Sequence, residues 1–229
     1  MSALGSPRRH LRRTGSTSDR GRELAQAGAP HGTLVTATEQ TAGRGRQGRS
    51  WAAPPGQALL LSLVLRDWPS LLPLAAAVAV AEEVGRGSVI KWPNDVLMGD
   101  PPRKVAGILV EGRPQERWMV LGIGLNVALD PAAMPPDVRD VAGTLGRARD
   151  DVEPTLGRLL EGLERWLAAP AAQVLDAFRA RDALAGREVS WAQGTGTAAG
   201  VDGEGRLVVR TASGEQRLAA GEVHLGAGR

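Results

Sequence analysis

The feature that most constrains the fold is a series of short apolar runs in the middle of the chain. Four of them predict buried β-strands: ALLLSLVL (58–65), VIKW (89–92), KVAGILVE (104–111) and WMVLGIGLNV (118–127). The last two are almost continuously apolar, as strands in the interior of a sheet are. The longest apolar run, Leu71 to Ala81, is shorter than the about 20 residues that cross a membrane. We therefore expect a buried sheet in a soluble protein of the cytoplasm.

The segments on either side of these runs predict helices and a second, smaller β domain. A strand is expected at 34–38, and helices are expected at 16–27, 70–84, 152–168 and 171–185. From Gly186 onward, strand-like runs alternate with DGEG and SGE turns, which is typical of a small barrel or sandwich. Residues 1–13 are polar and rich in arginine, and they predict a flexible tail. The predicted domains are residues 14–185 and 186–229.

Composition excludes several classes of site. The chain has no cysteine, which excludes disulfides, cysteine-ligated metals and a thiol nucleophile. Its three scattered histidines do not form a histidine-rich metal site. The sequence pI of about 10.4 accompanies a net charge of only +3, so it is weak support for nucleic-acid binding. Of the 28 basic residues only Lys91 and Lys104 are lysines.

The segment from Glu39 to Gly56 has no apolar periodicity and predicts a long loop. Within it, GRGRQGR alternates three glycines with three arginines: Gly43, Arg44, Gly45, Arg46, Gly48 and Arg49. Guanidinium groups bind phosphate or carboxylate through paired hydrogen bonds, and glycines let backbone N–H groups approach an anion. We interpret this segment as an anion-binding loop that is mobile until a ligand orders it. A solvated basic loop that contacts RNA is the alternative.

Both lysines belong to segments that suggest a ligand site. KWPND (91–95) places an amide and a carboxylate at the end of a predicted strand, although an ordinary turn explains the same residues. Lys104 begins the next strand, where its ammonium can face an anion in a cleft, or simply lie at a strand edge. In a chain where arginine has almost replaced lysine, the two surviving lysines favour the ligand interpretation.

Two glycine-containing segments complete the candidate site. Gly15-Ser16-Thr17-Ser18 places hydroxyl and N–H groups at a helix N-terminus, which suits either an anion or a plain N-cap. GIGLN (122–126) has glycines at alternate positions of a strand, so another group is expected to pack closely against that face.

Taken in this order, GSTS, EQTAGRGRQGRSW, KWPNDVL, KVAGILVE and GIGLNV resemble the biotin protein ligase family over about residues 14–130. The resemblance implies an α+β fold: a catalytic domain similar to class II aminoacyl-tRNA synthetases, with a mixed sheet and flanking helices. It also implies a small C-terminal SH3-like β-barrel. The implied reaction joins biotin and Mg-ATP into biotinyl-5′-AMP and then transfers biotin to a lysine of a biotin carboxyl carrier domain, as in acetyl-CoA carboxylase.

The resemblance also assigns residues. The biotin-binding group is Ser16, Thr17, Ser18, Gln40, Arg44, Gly45, Arg46, Lys104 and Gly107. The group directed toward ATP or the adenylate is Arg46, Arg49, Trp51, Asn94, Asp95 and Asn126. Lys104 and Arg46 are the implied catalytic residues, with Lys104 as the cation between the biotin carboxylate and the α-phosphate. No magnesium ligand is assigned, and Ser18 replaces an asparagine that many members have, which leaves its contact open.

Two alternatives remain at this stage. A lipoate or octanoate ligase uses related chemistry on a similar fold, but the arginine-rich loop argues against it. A non-catalytic nucleic-acid-binding module is the alternative outside enzymes. Longer family members begin with a helix-turn-helix domain, whereas about 13 residues precede GSTS here, so we expect no specific DNA among the partners. Because the longest apolar run is too short to cross a membrane, we also expect no membrane among them. A weak homodimer is kept open.

Overall fold

The computed structural model describes residues 4–134, 136–219, 221 and 223–225. In chain order its strands and helices are β1 (Arg8–Thr14), α1 (Thr17–Gln26), β2 (Leu34–Gln40), β3 (Gly43–Arg44), β4 (Ser50–Trp51), β5 (Ala58–Leu65), α2 (Leu72–Val84), β6 (Val89–Lys91), β7 (Asp95–Met98), β8 (Arg103–Arg113), β9 (Trp118–Asn126), α3 (Pro136–Arg139), α4 (Val152–Leu167), α5 (Ala171–Arg179), β10 (Glu188–Trp191), β11 (Gly194–Val201), β12 (Leu207–Thr211), β13 (Gly214–Leu218) and β14 (His224–Leu225). The fold is α+β.

Seven strands form one mixed sheet in the order β1-β2-β5-β9-β8-β7-β6. β1 and β2 are parallel, and every other neighbouring pair in this sheet is antiparallel. The long apolar runs occupy the middle positions, and all eight residues of β5 are buried. The prediction of interior strands at 58–65, 104–111 and 118–127 is therefore confirmed.

Helices cover both faces of this sheet. α1 packs against β5 and β9 on one face, where Gly21 leaves room for Val120; a Cβ at Gly21 would lie 2.9 Å from that side chain. α2 packs on the other face, and α4 and α5 pack against α2. Most of α2 is buried because it lies between the sheet and these two helices. Within the described residues, no helix has the length and apolar character needed to cross a membrane.

The flexible tail predicted for residues 1–13 is wrong from Arg8 onward, because Arg8–Thr14 forms the edge strand β1. Residues 1–3 lie outside the described part of the chain. The segment lacks apolar alternation because an edge strand can be held by backbone hydrogen bonds and polar contacts. The Arg8 guanidinium, for example, pairs with Glu153 of α4 and donates from Nε to Thr36 Oγ1 at 3.2 Å.

Three other elements differ from the prediction. The long loop contains a short hairpin, β3–β4, and KWPND runs directly into β7. The helix predicted for 171–185 ends at Arg179. Beyond it the chain turns to exchange backbone hydrogen bonds with Ile90, which donates to Arg181 and accepts from Ala183. Tertiary pairing, which local propensity does not contain, ends the helix early.

The last five strands form an antiparallel sheet in the order β13-β12-β11-β10-β14. It packs on the larger sheet's domain: the Trp92 indole N–H donates to the Gly205 carbonyl at 3.0 Å, and Arg179 donates to the Val201 carbonyl. The division into residues 14–185 and 186–229 stays a prediction, and the two sheets lie on either side of it.

Candidate functional site

A pocket opens between the β3–β4 hairpin, the N-terminus of α1 and strands β6–β9. Thirteen of the fourteen residues assigned by the sequence line it: Ser16, Thr17, Ser18, Gln40, Arg44, Gly45, Arg46, Arg49, Trp51, Asn94, Asp95, Lys104 and Gly107. Segments that are far apart in the chain therefore meet in one place because β7, β8 and β9 are neighbours in the sheet and the hairpin lies across them.

A buried hydroxyl and amide network forms the α1 side of the pocket. Ser16 is the N-cap of α1, and its hydroxyl accepts from the Ser18 backbone N–H at 3.2 Å. Thr17 donates from its backbone N–H and from Oγ1 to Gln40 Oε1, at 2.7 and 3.0 Å. Ser62 donates to Thr17 Oγ1 at 2.9 Å and shares a hydrogen bond with Ser18. Capping and pocket lining are thus combined in the same residues, and the network suits a small polar group of a ligand.

Lys104 lines the pocket, with a carboxylate and an aromatic ring beside it. Its Nζ is 2.7 Å from Asp95 Oδ1 and 5.6 Å from the centroid of the Trp51 ring. Asp95 is opposite Lys91 in the β6–β7 register, so the turn brings both lysines to one carboxylate. Two cations beside one anion leave the site with positive charge available for a ligand anion.

Asn94 fixes the turn that carries this carboxylate. Its Nδ2 donates to the Ile108 carbonyl and its own carbonyl accepts from the Ile108 N–H, both at 2.9 Å. Its Oδ1 accepts from Arg46 Nη1 at 3.2 Å, which connects the hairpin loop to the turn. Burial lowers the pKa of Arg46; the carboxylate of Asp95 opposes this effect, and the nearby charge of Arg49 lowers the pKa by a smaller amount. Arg46 is thus a desolvated cation at the pocket wall.

Trp51 lies over the glycines of β8 and β9. A Cβ at Gly124 would be 2.4 Å from the indole, and one at Gly107 would be 3.1 Å from it. A Cβ at Gly122 would lie 2.7 Å from Ser18 Oγ. The prediction that another group packs closely against the alternate glycines of β9 is confirmed. The Trp51 indole N–H is buried and has no hydrogen-bond acceptor among the described residues, so a donor remains for a ligand.

Asn126 does not line this pocket. Its Nδ2 donates to the Gly143 carbonyl at 2.9 Å, and its buried Oδ1 has no hydrogen-bond donor in the described part of the chain. Its assignment to the nucleotide stays a prediction.

Several residues of the pocket wall are absent from the residues assigned by the resemblance, above all Lys91, Trp92 and Val223. Lys91 carried a signal, because it is one of only two lysines, but an ordinary turn explained it as well. Val223 had no signal, since it reaches the pocket from the C-terminal sheet's domain.

Burial lowers the pKa of Lys91, and the positive charges of Lys104 and Arg49 lower it further, with Asp95 acting in the opposite direction. Below its folded-state pKa, Lys91 therefore carries a charge whose burial reduces stability. Between that pKa and the ordinary value of 10.5, the unfolded chain binds more protons than the folded chain, so stability rises with pH.

We expect Lys91→Met to be more stable than wild type at neutral pH, with an advantage that shrinks as the pH approaches 10.5. The free energy of unfolding of both proteins, measured by urea denaturation across this range, checks the prediction. The chain has no tyrosine or cysteine to titrate in the same window. A stability difference between Lys91→Met and wild type that stays constant with pH contradicts the lowered pKa of Lys91.

A resident metal centre does not fit the described residues, which contain no cluster of three or more histidine, aspartate or glutamate side chains able to hold an ion. Among the described residues, Asp95 is the carboxylate that lines the pocket, and Lys104 pairs with it. Such a site suits a magnesium ion that arrives on nucleotide phosphates, which usually needs one or two carboxylates at most.

The family model described as "Biotin/lipoate A/B protein ligase family" matches residues 11–127, and "Biotin protein ligase C terminal domain" matches residues 186–226. The biotin–[acetyl-CoA-carboxylase] ligase of Paracoccus denitrificans is 36% identical over 94% of this chain and 99% of its own length. The corresponding ligase of Mycobacterium tuberculosis is 35% identical, over 92% and 85%. The solved biotin protein ligase of Aquifex aeolicus, in complex with biotin and ATP, is 28% identical with a TM-score of 0.79, covering 97% of this chain and all of that one.

Proposed function

Because the chain belongs to the biotin/lipoate A/B protein ligase family, we infer that it is a biotin protein ligase. It activates biotin with ATP to biotinyl-5′-AMP and transfers the biotinyl group to a lysine of a biotin carboxyl carrier domain. The observation that carries this inference is the pocket itself, which is lined by a buried polar network, by the cations Lys104 and Arg46, and by Trp51 beside Lys104.

The first step forms a bond between the biotin carboxylate oxygen and the α-phosphorus of ATP, and it releases pyrophosphate. Two anions must approach each other, so the step needs fixed positive charge more than a nucleophile. Lys104 supplies a compact ammonium beside Trp51, and Arg46 supplies a desolvated guanidinium at the wall. Magnesium bound to the ATP phosphates supplies further charge neutralisation.

In the second step the amine of the carrier lysine attacks the acyl carbon of biotinyl-5′-AMP. An amide bond forms, AMP leaves with the electrons of the acyl–oxygen bond, and the amine loses a proton. Asp95 is a pocket carboxylate that can attract the carrier lysine as it arrives, and its pairing with Lys104 keeps it oriented. The polar network at Ser16, Thr17 and Ser18 holds the other end of biotin.

The expected result is isotope exchange between ATP and pyrophosphate that requires biotin, together with label transfer from biotin to a carrier domain. Lipoate and octanoate are the matched alternative substrates, because the matching family model covers both kinds of ligase. Exchange that depends on lipoate rather than biotin would make the chain a lipoate ligase. No biotin binding by calorimetry, and no exchange with any of the three acids, would reject the proposal.

Two statements about partners and location belong to this proposal. The Bacillus subtilis relative, described as a bifunctional ligase/repressor, is 34% identical over 92% of this chain and 71% of its own length. Nothing in the pocket supports a repressor activity, and we propose carrier modification alone, in the cytoplasm. A nucleic-acid-binding module predicts affinity that falls steeply with salt and does not depend on biotin.

A further inference from the structure

The Arg44 side chain links the β3–β4 hairpin to two elements of the rigid sheet layer. Its Nη1 donates to Asp19 Oδ1 at 2.9 Å, and its Nη2 donates to Glu111 Oε1 at 2.5 Å. Asp19 belongs to the first turn of α1 and Glu111 to β8. We call these three residues the hairpin clamp, since one guanidinium joins the hairpin to a helix and a strand.

The clamp consists of two close ion pairs that are partly shielded from water. Burial alone raises the pKa of Asp19, but hydrogen bonds from Arg44 and from Arg22 outweigh it, so the pKa is lowered. Arg44 and Asp19 are about one third exposed and Glu111 is 21% exposed, so solvent screens the pairs only in part. Charge-assisted hydrogen bonds to two carboxylates hold a guanidinium in one orientation.

Other contacts of the hairpin include the packing of Trp51 on β8 and β9 and the Arg46–Asn94 hydrogen bond, but its own strand pairing is short. Each of its strands has two residues, and the turn between them has Gln47 and Gly48 at positive φ. Isolated two-stranded hairpins are at best marginally stable in water. The turn's own backbone hydrogen bonds, such as Gly45 N–H to the Arg49 carbonyl at 2.7 Å, do not attach it to the sheet.

The loop arginines therefore point in different directions. Arg46 donates to Asn94 at the pocket wall, whereas Arg44 donates to residues of α1 and β8, in a second, charged groove shared with Arg22 and Glu23. Both terminal nitrogens of Arg44 already donate to protein carboxylates, so its guanidinium is engaged in holding the hairpin.

We propose that Asp19, Arg44 and Glu111 are positioning residues that fix the base of the hairpin, so that Trp51 and Arg46 close over the activated intermediate and retain it. This inference rests on the proposed function for the identity of the intermediate. The clamp holds the loop stem before any ligand arrives. Less conformational entropy is therefore lost when the glycine-rich loop becomes ordered on the ligand. In this proposal the Arg44 guanidinium holds the hairpin and does not itself contact biotin.

The test uses Arg44→Met and the near-isosteric Glu111→Gln, with Arg22→Gln as the matched control. Arg22 also pairs with Asp19, and within the described residues its hydrogen bond and ion pair are to Asp19 alone, so the control removes an arginine and leaves the Arg44 contacts in place. The first measurement is the rate of brief trypsin cleavage at Arg46 and Arg49 without ligand. The second is the rate at which preformed biotinyl-5′-AMP is released into a chase of unlabelled biotin and ATP.

We expect both clamp variants to be cleaved faster and to release the intermediate about tenfold faster, a factor that corresponds to about 1.4 kcal/mol. The melting temperature of both variants, and the rate of adenylate formation by Glu111→Gln at saturating substrates, should stay close to wild type, and Arg22→Gln should behave as wild type throughout. Unchanged cleavage in both clamp variants overturns the proposal, as does faster cleavage with unchanged release. If wild type forms no biotinyl-5′-AMP, the proposed function fails, while the ligand-free cleavage rates still decide whether the clamp holds the hairpin.

Discussion

Replacing Lys104 with alanine or arginine is expected to slow the formation of biotinyl-5′-AMP by about 10²–10³-fold, the usual effect of removing one preorganised donor. The ammonium lies beside Asp95 and Trp51 in the pocket. A compact ammonium can serve two oxygens at once, whereas a planar guanidinium is larger and prefers one bidentate partner. The measurement is single-turnover adenylate formation at saturating biotin and ATP, with the melting temperature recorded for each variant.

The neighbouring Arg103 provides the control, because it is exposed and donates to the Arg139 carbonyl outside the pocket. Arg103→Ala should form the adenylate at close to the wild-type rate. Lys91, by contrast, is unsuitable as a control, since it lines the pocket with Lys104. Nearly full activity in Lys104→Arg would show that the lysine is a strand-edge charge and that the bridging role is wrong.

A double variant separates catalysis from pairing. Lys104→Ala leaves Asp95 as an uncompensated carboxylate in a site that must bind anions. Adding Asp95→Asn removes that repulsion and should recover only a minor part of the lost rate if Lys104 acts on the substrate itself. Recovery to near the wild-type rate would mean that Lys104 serves mainly to neutralise Asp95.

Gly124→Ala should reduce adenylate formation by about 100-fold, because displacing a positioning group by about 1 Å can cost that much. The new Cβ would lie 2.4 Å from the Trp51 indole, so the indole must move, and the hairpin that carries it must move as well. The variant should also be slightly less stable than wild type, because such overpacking typically costs about 1–3 kcal/mol, more than the about 0.5–1 kcal/mol by which alanine is favoured over glycine in a strand.

Gly157→Ala is the matched control, because its Cβ would meet nothing within 4 Å on the exposed side of α4. It should be more stable by about 1 kcal/mol, the difference in helix propensity, with unchanged activity. Wild-type activity in Gly124→Ala would show that the reaction does not require the packing of Trp51 against Gly124 of β9.

Much of the site could be predicted from the sequence because its residues stand in short, contiguous motifs. Serine and threonine hydroxyls at a helix start, alternate glycines in a strand and a lysine that survives among arginines each have a local physical meaning. Thirteen of the fourteen predicted residues line one pocket. The interior strands were equally predictable, since burial on both faces requires near-continuous apolar runs.

The edge of the sheet could not be predicted in the same way. β1 is rich in arginine and lacks the alternation of a half-buried strand, because its partners are the backbone of β2 and the carboxylates Glu39 and Glu153. Those contacts join residues far apart in the chain, and no local pattern records them.

The sequence by itself determined which chemical groups are present and that the central strands must be buried, because composition and periodicity are properties of short segments. Only the tertiary structure decided what each charge faces. The sequence treats Arg44 and Arg46 alike, yet one faces Asp19 and Glu111 and the other Asn94. The sequence likewise allowed two interpretations of Lys91, as a turn residue or as a ligand-binding residue. The β6–β7 register places it opposite Asp95. Orientation depends on which segments become neighbours, and that follows from strand order rather than from position along the chain.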